Sequence, residues 1–166
     1  MRYSKIDEFE IVNGKGVGVS IYTQGCPFHC EGCFNSELWD MDNGTLWTES
    51  EEKLVIDLLN RDGIDRLTVV GGEPLLERNI ESLTHLFKRI KRLHKDIKIW
   101  VYTGNEYQVI QERYRNILTY IDILVDGRFM LDKRDITLQF RGSSNQRIID
   151  VQQSLKKGEI IQYELD

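Results

Sequence analysis

Four short runs of β-branched and apolar residues recur along the chain, at residues 17–23 (VGVSIYT), 66–70 (RLTVV), 97–102 (IKIWVY) and 121–125 (IDILV). Runs of that length and composition predict buried strands. Each is closed by a glycine-bearing turn: Thr23-Gln24-Gly25-Cys26, Gly71-Gly72-Glu73-Pro74, Thr103-Gly104-Asn105-Glu106 and Asp126-Gly127-Arg128. Between the strands the apolar spacing changes to the helical period. Thr48-Glu49-Ser50-Glu51 is a capping box ahead of Leu54, Val55, Leu58 and Leu59. Ile80, Leu83, Phe87, Ile90 and Leu93 mark one face of a longer helix, and a third passes through Val109 and Ile110.

Strands alternating with helices require a parallel sheet, because parallel neighbours are joined by a crossover and not by a tight hairpin. At 166 residues the chain is too short for an eight-unit barrel of about 250 residues. The expected fold is therefore α/β, a partial, open β/α barrel with a mostly parallel sheet, in one domain over residues 1–166. In the tail, residues 141–146 read as a polar loop, with short edge strands at 147–151 and 159–163. Asn13-Gly14-Lys15-Gly16-Val17-Gly18 precedes a strand instead of opening a helix, so it reads as a turn and not as a dinucleotide fingerprint.

In β/α sheets the loops after the strands converge on one crevice, which predicts a shared site built from the four glycine-bearing turns. A net charge of −5 argues against a surface devoted to nucleic acid. No stretch is apolar enough to span a membrane and no secretory signal opens the chain, so a cytoplasmic protein without a membrane partner is expected. Lys88, Arg89, Lys91, Arg92 and Lys95 read as the wet face of a helix whose buried face is already supplied by Phe87, Ile90 and Leu93. The alternative is a patch attracting an acidic electron donor such as flavodoxin. His85 and His94 read as structural, with no visible partner.

Three cysteines, Cys26, Cys30 and Cys33, fall in one window of eight residues and nowhere else. An odd number in a chain without an export signal points to metal ligation or thiol chemistry, not to disulfides. Iron–sulfur clusters ordinarily take four thiolates. Three on one loop would leave one iron of a four-iron cluster open to a small chelating molecule. The rival is a zinc-stabilised interaction domain using His29 as the fourth ligand, although His29 adjoins Cys30 and no second cysteine pair exists.

The Cys26-x3-Cys30-x2-Cys33 motif resembles that of the radical S-adenosylmethionine superfamily. Across nearly its whole length the chain is similar to the glycyl-radical-enzyme activases of that superfamily that serve anaerobic ribonucleotide reductases. The resemblance rests on Ile11-Val12-Asn13-Gly14, Gly32-Cys33-Phe34-Asn35, Gly71-Gly72-Glu73-Pro74, Val101-Tyr102-Thr103-Gly104, Leu124-Val125-Asp126-Gly127-Arg128-Phe129 and Phe140-Arg141-Gly142-Ser143-Ser144-Asn145-Gln146. Gly32 stands where the wider superfamily often has an aromatic residue.

The resemblance implies a 4Fe-4S cluster, S-adenosyl-L-methionine chelated at its open iron, and reductive cleavage to methionine and a 5′-deoxyadenosyl radical. That radical takes a Cα hydrogen from a glycine of the anaerobic ribonucleoside-triphosphate reductase large subunit, with a one-electron donor such as flavodoxin supplying the reductant. Cys26, Cys30 and Cys33 would ligate the cluster; Gly32, Cys33 and Phe34 would border the nucleoside. Gly71 and Gly72 would let the backbone approach the methionine amine, assisted by Glu73. Asp126 and Arg128 would contact the ribose or carboxylate, with Thr103 a further candidate and Asn145 and Gln146 without an assigned role. The alternatives are action on another glycyl radical enzyme or on a free metabolite.

Overall fold

In the computed structural model, described over residues 1–165, the four expected strands form and lie side by side. They are β2 (Gly18–Thr23), β4 (Arg66–Gly71), β5 (Lys98–Tyr102) and β6 (Ile123–Asp126), and each pairs in parallel with the next. Three further strands extend the sheet antiparallel: β1 (Arg2–Glu10) on β2, β3 (Thr45–Leu46) on β1, and β7 (Arg147–Asp150) on β6. The order is β3-β1-β2-β4-β5-β6-β7, an open seven-stranded sheet. The expectation of a mostly parallel sheet thus holds for its centre and is corrected at both margins.

The helices are α1 (Glu49–Leu59), α2 (Glu77–Leu93), α3 (Tyr107–Leu118) and α4 (Val151–Lys157). The expected capping box starts α1: the Thr48 hydroxyl accepts from the Ser50 N–H, and the Glu51 carboxylate accepts from the Thr48 N–H at 2.7 Å. α4 replaces the end of the strand expected at 147–151, because Asp150 accepts the Gln153 N–H and starts a helix. The strand expected at 159–163 is reduced to one bridge between Ile149 and Gln162.

From β2 to β6 each crossover steps one place in the same direction. Right-handed crossovers that never reverse put their helices on one face. Val19, Ile21, Leu67, Val69, Ile99, Val101 and Leu124 point to that face and form one core with Val55, Leu83, Phe87, Ile90, Ile110 and Ile117. The alternate positions Ser20, Tyr22, Arg66, Thr68, Trp100 and Tyr102 occupy the opposite, helix-free face. There Trp100, Ile123, Val125 and Ile148 pack with Phe140 and Tyr163. Leu54 and Leu93, expected on buried helix faces, are exposed.

A polar cluster also lies on the helix-free face. Arg66, wholly buried, donates to Glu10 Oε1 at 2.5 Å and to Thr68 Oγ1 at 2.7 Å. Glu10 further accepts from Ser20 Oγ and from the Asn13 N–H. Burial pushes the Glu10 carboxyl up, but the bonds from Arg66, Ser20 and Asn13 outweigh it and hold it below its ordinary 4.5. Of the basic residues on α2, Arg89 shares Glu52 with His85, and Lys91 is bonded to Asp122. Lys88 and Arg92, and Lys95 beyond the end of the helix, are the exposed remainder of the basic run at 88–95, and His85 has the partner that was not expected for it.

Candidate functional site

The loops that follow the four parallel strands enclose a cavity of about 650 Å3 at the C-terminal edge of the sheet, within the range of small-molecule sites. Cys26, Phe28, Cys30, Cys33, Phe34 and Asn35 come from the loop after β2, Gly71, Gly72 and Glu73 from the end of β4 and the turn after it, Thr103 and Gly104 from the turn after β5, and Gly127, Arg128 and Phe129 from the loop after β6. Tyr22, Val70 and Tyr102 continue the wall down the helix-free face.

The cysteine loop is tied down by backbone bonds from Gly25 to Leu38, from Cys26 to Trp39 and from Cys33 to Cys30. All three cysteines are free thiols, half-buried against the same cavity. Burial pushes the Cys26 and Cys30 thiols above their ordinary 9.0; the Glu73 and Cys30 charges add to this for Cys26, and Cys33 does so for Cys30. Such thiols become thiolates when a soft cation replaces their protons.

Among the described residues no three Cys, His, Asp or Glu donors converge as they would on a single ion. A zinc ion needs four donors around one centre, whereas a four-iron cluster gives each thiolate its own iron. His29 is exposed, stacks on Trp39 with ring centroids 4.6 Å apart, and is not part of the cavity wall. The donor set therefore fits an iron–sulfur cluster and does not fit the zinc site.

Gly71 and Gly72 are demanded by the backbone beside them. A Cβ at Gly72 would lie 2.4 Å from the Gly25 carbonyl oxygen, and one at Gly71, where φ is +106°, would lie 2.8 Å from the Thr23 backbone. Close approach lets the Gly72 N–H reach the Thr23 carbonyl and the Glu73 N–H reach the Gly25 carbonyl. The Glu73 side chain, 1% exposed, accepts from the Thr103 hydroxyl and from the Gly104 and Leu75 N–H groups, each at 2.8 Å. Burial pushes its carboxyl up to about 7 against these bonds. Gly104 in turn makes room for Phe28, whose ring also carries the Arg128 guanidinium 4.4 Å from its centroid.

The links continue along the edge. Thr103 N–H bonds the Val125 carbonyl and Gly127 N–H the Asn105 carbonyl. Gln146 donates to the Gly127 carbonyl and accepts from the Gly142 and Ser143 N–H groups, while Asn145 donates to the Arg128 carbonyl. Asn145 and Gln146 thus brace the loop after β6.

Of the residues expected at the site, Cys26, Cys30, Cys33, Phe34, Gly71, Gly72, Glu73, Thr103 and Arg128 line the cavity. Gly32 does not; at φ +72° it turns the chain beneath Leu131, whose Cδ1 would lie 2.8 Å from a Cβ there. Asp126, expected to contact the ribose or carboxylate, does not line it either. Its buried carboxylate accepts from the Tyr107 N–H at 2.7 Å and from Arg147 at 2.5 and 3.0 Å, joining α3, β6 and β7. Sequence reasoning missed Phe28 and the floor residues Tyr22 and Tyr102. Asn35, quoted only as part of a motif, donates to the Gly71 carbonyl.

Residues 12–149 match the family model of a 4Fe-4S single cluster domain. With three thiols on one cavity, that match makes this a single-cluster iron–sulfur protein of the α/β class. The chain is 36% identical over 150 residues to the anaerobic ribonucleoside-triphosphate reductase-activating protein of Haemophilus influenzae, covering 89% of this chain and 97% of that one. To the proteins of the same name from Pasteurella multocida and Escherichia coli it is 38% identical over 152 residues and 34% over 148, covering 89% and 88% of this chain and 96% of each relative. The chain belongs to this family of activating proteins. Among the described residues no helix is long and apolar enough to cross a membrane.

Proposed function

We propose that this chain activates an anaerobic ribonucleoside-triphosphate reductase by installing a glycyl radical in its large subunit, working as one domain over residues 1–166 with the open-barrel form of the radical S-adenosylmethionine enzymes. When bound, a 4Fe-4S cluster with S-adenosyl-L-methionine at its open iron supplies one-electron reductive cleavage, and with it the radical that takes the glycine Cα hydrogen. Cys26, Cys30 and Cys33 hold three irons. The Gly71-Gly72-Glu73 edge offers backbone groups to the methionine moiety, and Glu73 acts there by fixing the neighbouring turn through Thr103 and Gly104. Arg128 provides positive charge for the carboxylate. Phe28 and Phe129 exclude water around the nucleoside, which Phe34 borders at the opening. A one-electron donor such as flavodoxin completes the system in the cytoplasm.

The observation that carries this reading is that the chain's three thiols face the same cavity as the glycine edge of β4. Electron paramagnetic resonance of the anaerobically reconstituted, reduced protein tests it. A reduced four-iron signal that changes when S-adenosyl-L-methionine is added, followed by a glycyl radical on added reductase, is the expected result. Cys30→Ala is expected to abolish cleavage of S-adenosyl-L-methionine; retained cleavage, or tightly bound zinc without a cluster signal in the wild type, overturns the reading.

A further inference from the structure

Asn35 stands where a helix cap belongs and does not act as one. It is the N-cap of the short 3-10 turn Ser36–Leu38, and asparagine is among the side chains that cap best. Its side chain nevertheless makes no bond to that turn. It crosses instead to the end of β4, 36 residues away in sequence, where Nδ2 donates to the Gly71 carbonyl at 3.4 Å. The backbone N–H of the same residue donates to Cys33 Sγ, also at 3.4 Å. One residue thus holds a thiol through its main chain and the glycine edge through its side chain, and it lines the cavity they share.

The two ends of the cysteine loop are tied to β4 in different ways. At the Cys26 end the tie is main chain, the Gly25 carbonyl accepting from the Glu73 N–H at 2.8 Å. At the Cys33 end, the Cys33 N–H bonds back into its own loop, to the Cys30 carbonyl, and the side chain of Asn35 makes the link across. The Gly71 carbonyl is open to it because β4 and β5 pair only as far as Val69 and Val101, and the Thr103 N–H beyond them goes to Val125. At 3.4 Å the bond adds little to stability, so its worth lies in where it holds its two ends.

We propose that Asn35 is a positioning residue that sets the separation between the Cys33 thiol and the Gly71-Gly72 edge, and through it the seating of S-adenosyl-L-methionine. A molecule that chelates a metal at one end and rests on a backbone edge beside it is sensitive to that spacing. Asparagine supplies a donor at the required reach. Aspartate has the same shape but turns an acceptor toward a carbonyl, and serine is too short to cross. This inference rests on the reading under Proposed function and adds to it the residue that fixes the gap.

The test compares the wild type with Asn35→Asp and Asn35→Ser, both of which keep a side chain able to cap Ser36–Leu38. S-adenosyl-L-methionine is titrated into the cluster-loaded, reduced protein and followed by electron paramagnetic resonance; the midpoint potential of the cluster is measured without it. Hydrogen exchange at the Gly72 and Glu73 N–H groups is measured on the anaerobic apoprotein. Both variants are expected to raise the Kd for S-adenosyl-L-methionine about tenfold, the scale of one hydrogen bond, and to speed exchange at Gly72 and Glu73 by about as much. In Asn35→Ser the signal and potential of the cluster alone are expected to match the wild type, because the bond to Cys33 is main chain. A wild-type Kd in either variant overturns the proposal, as does loss of the cluster signal from both before the titration begins, which would make Asn35 a support of the cluster alone. A wild-type spectrum that does not respond to S-adenosyl-L-methionine sinks the proposed function instead. The exchange rates still decide the tie on their own, and unchanged rates in both variants overturn it.

Discussion

Replacing Gly104 with alanine tests whether the turn after β5 and the cysteine loop are fitted to each other. The backbone at Gly104 is not left-handed, so alanine alone would be tolerated and would gain about 0.4–1 kcal/mol by restricting the unfolded chain. In the fold, however, its Cβ would lie 2.5 and 2.6 Å from Cδ2 and Cε2 of Phe28, whose ring is packed with the Arg128 guanidinium. Overpacking of this kind costs about 1–3 kcal/mol. The net expectation for Gly104→Ala is a loss of about 1–2 kcal/mol. In a Phe28→Ala background the clash is gone and the same substitution becomes neutral or mildly stabilising. Urea unfolding of the anaerobic apoprotein, followed by circular dichroism for all four members of the cycle, gives the coupling directly. An equal cost of Gly104→Ala in both backgrounds would show that Phe28 is not what demands glycine there.

Glu10→Gln leaves the buried Arg66 guanidinium without its counter-charge and is expected to cost about 3–5 kcal/mol in urea unfolding; a loss below about 1 kcal/mol would refute the role of this pair. Because the Glu10 carboxyl is held below 4.5 in the fold, its stabilisation is complete above that pH and drains as pH falls through the folded value, an acid-side loss that Glu10→Gln removes. Glu73 has the opposite sign. Its folded value of about 7 exceeds the ordinary 4.5, so its contribution is full below pH 4.5 and is lost as pH rises toward 7. Glu73→Gln is expected to flatten apoprotein stability across that interval, and an unchanged slope would count against burial of this carboxyl.

The central strands and the site at their ends were legible because parallel β/α units write a strong pattern: β-branched runs, glycine turns and helical spacing repeat in register with the chain. β1 was illegible for a physical reason. RYSKIDEFE is mostly charged and polar, since the strand lies antiparallel beside β2 near the sheet margin and buries little of itself. Missing it hid the partner of Arg66, whose burial depends on Glu10. α4 had readable signals in Asp150 and Gly158, the latter at φ +73°, but they were masked by the apolar run before them. The three thiols were evident from spacing. The seat of Phe28 on Gly104 and the turning of Asp126 toward Arg147 were not, because both depend on contacts between segments whose relative placement only the fold supplies.

The hydrogen-bonded links that run sideways along the strand ends, from Thr23 through Gly72, Glu73 and Gly104 and onward from Asn105 to Gly127 and Gln146, have a consequence for how such a site changes over time. Each loop is held by its neighbour, so a displacement introduced at one end is handed on from loop to loop. The cysteine loop also meets the loop after β6 directly, with Phe28 under Arg128 and Phe34 against Phe129, so a change there reaches the thiol loop by a second and shorter route. Residues 129–134 can therefore vary only in ways that leave the Phe34 ring seated beside Cys33.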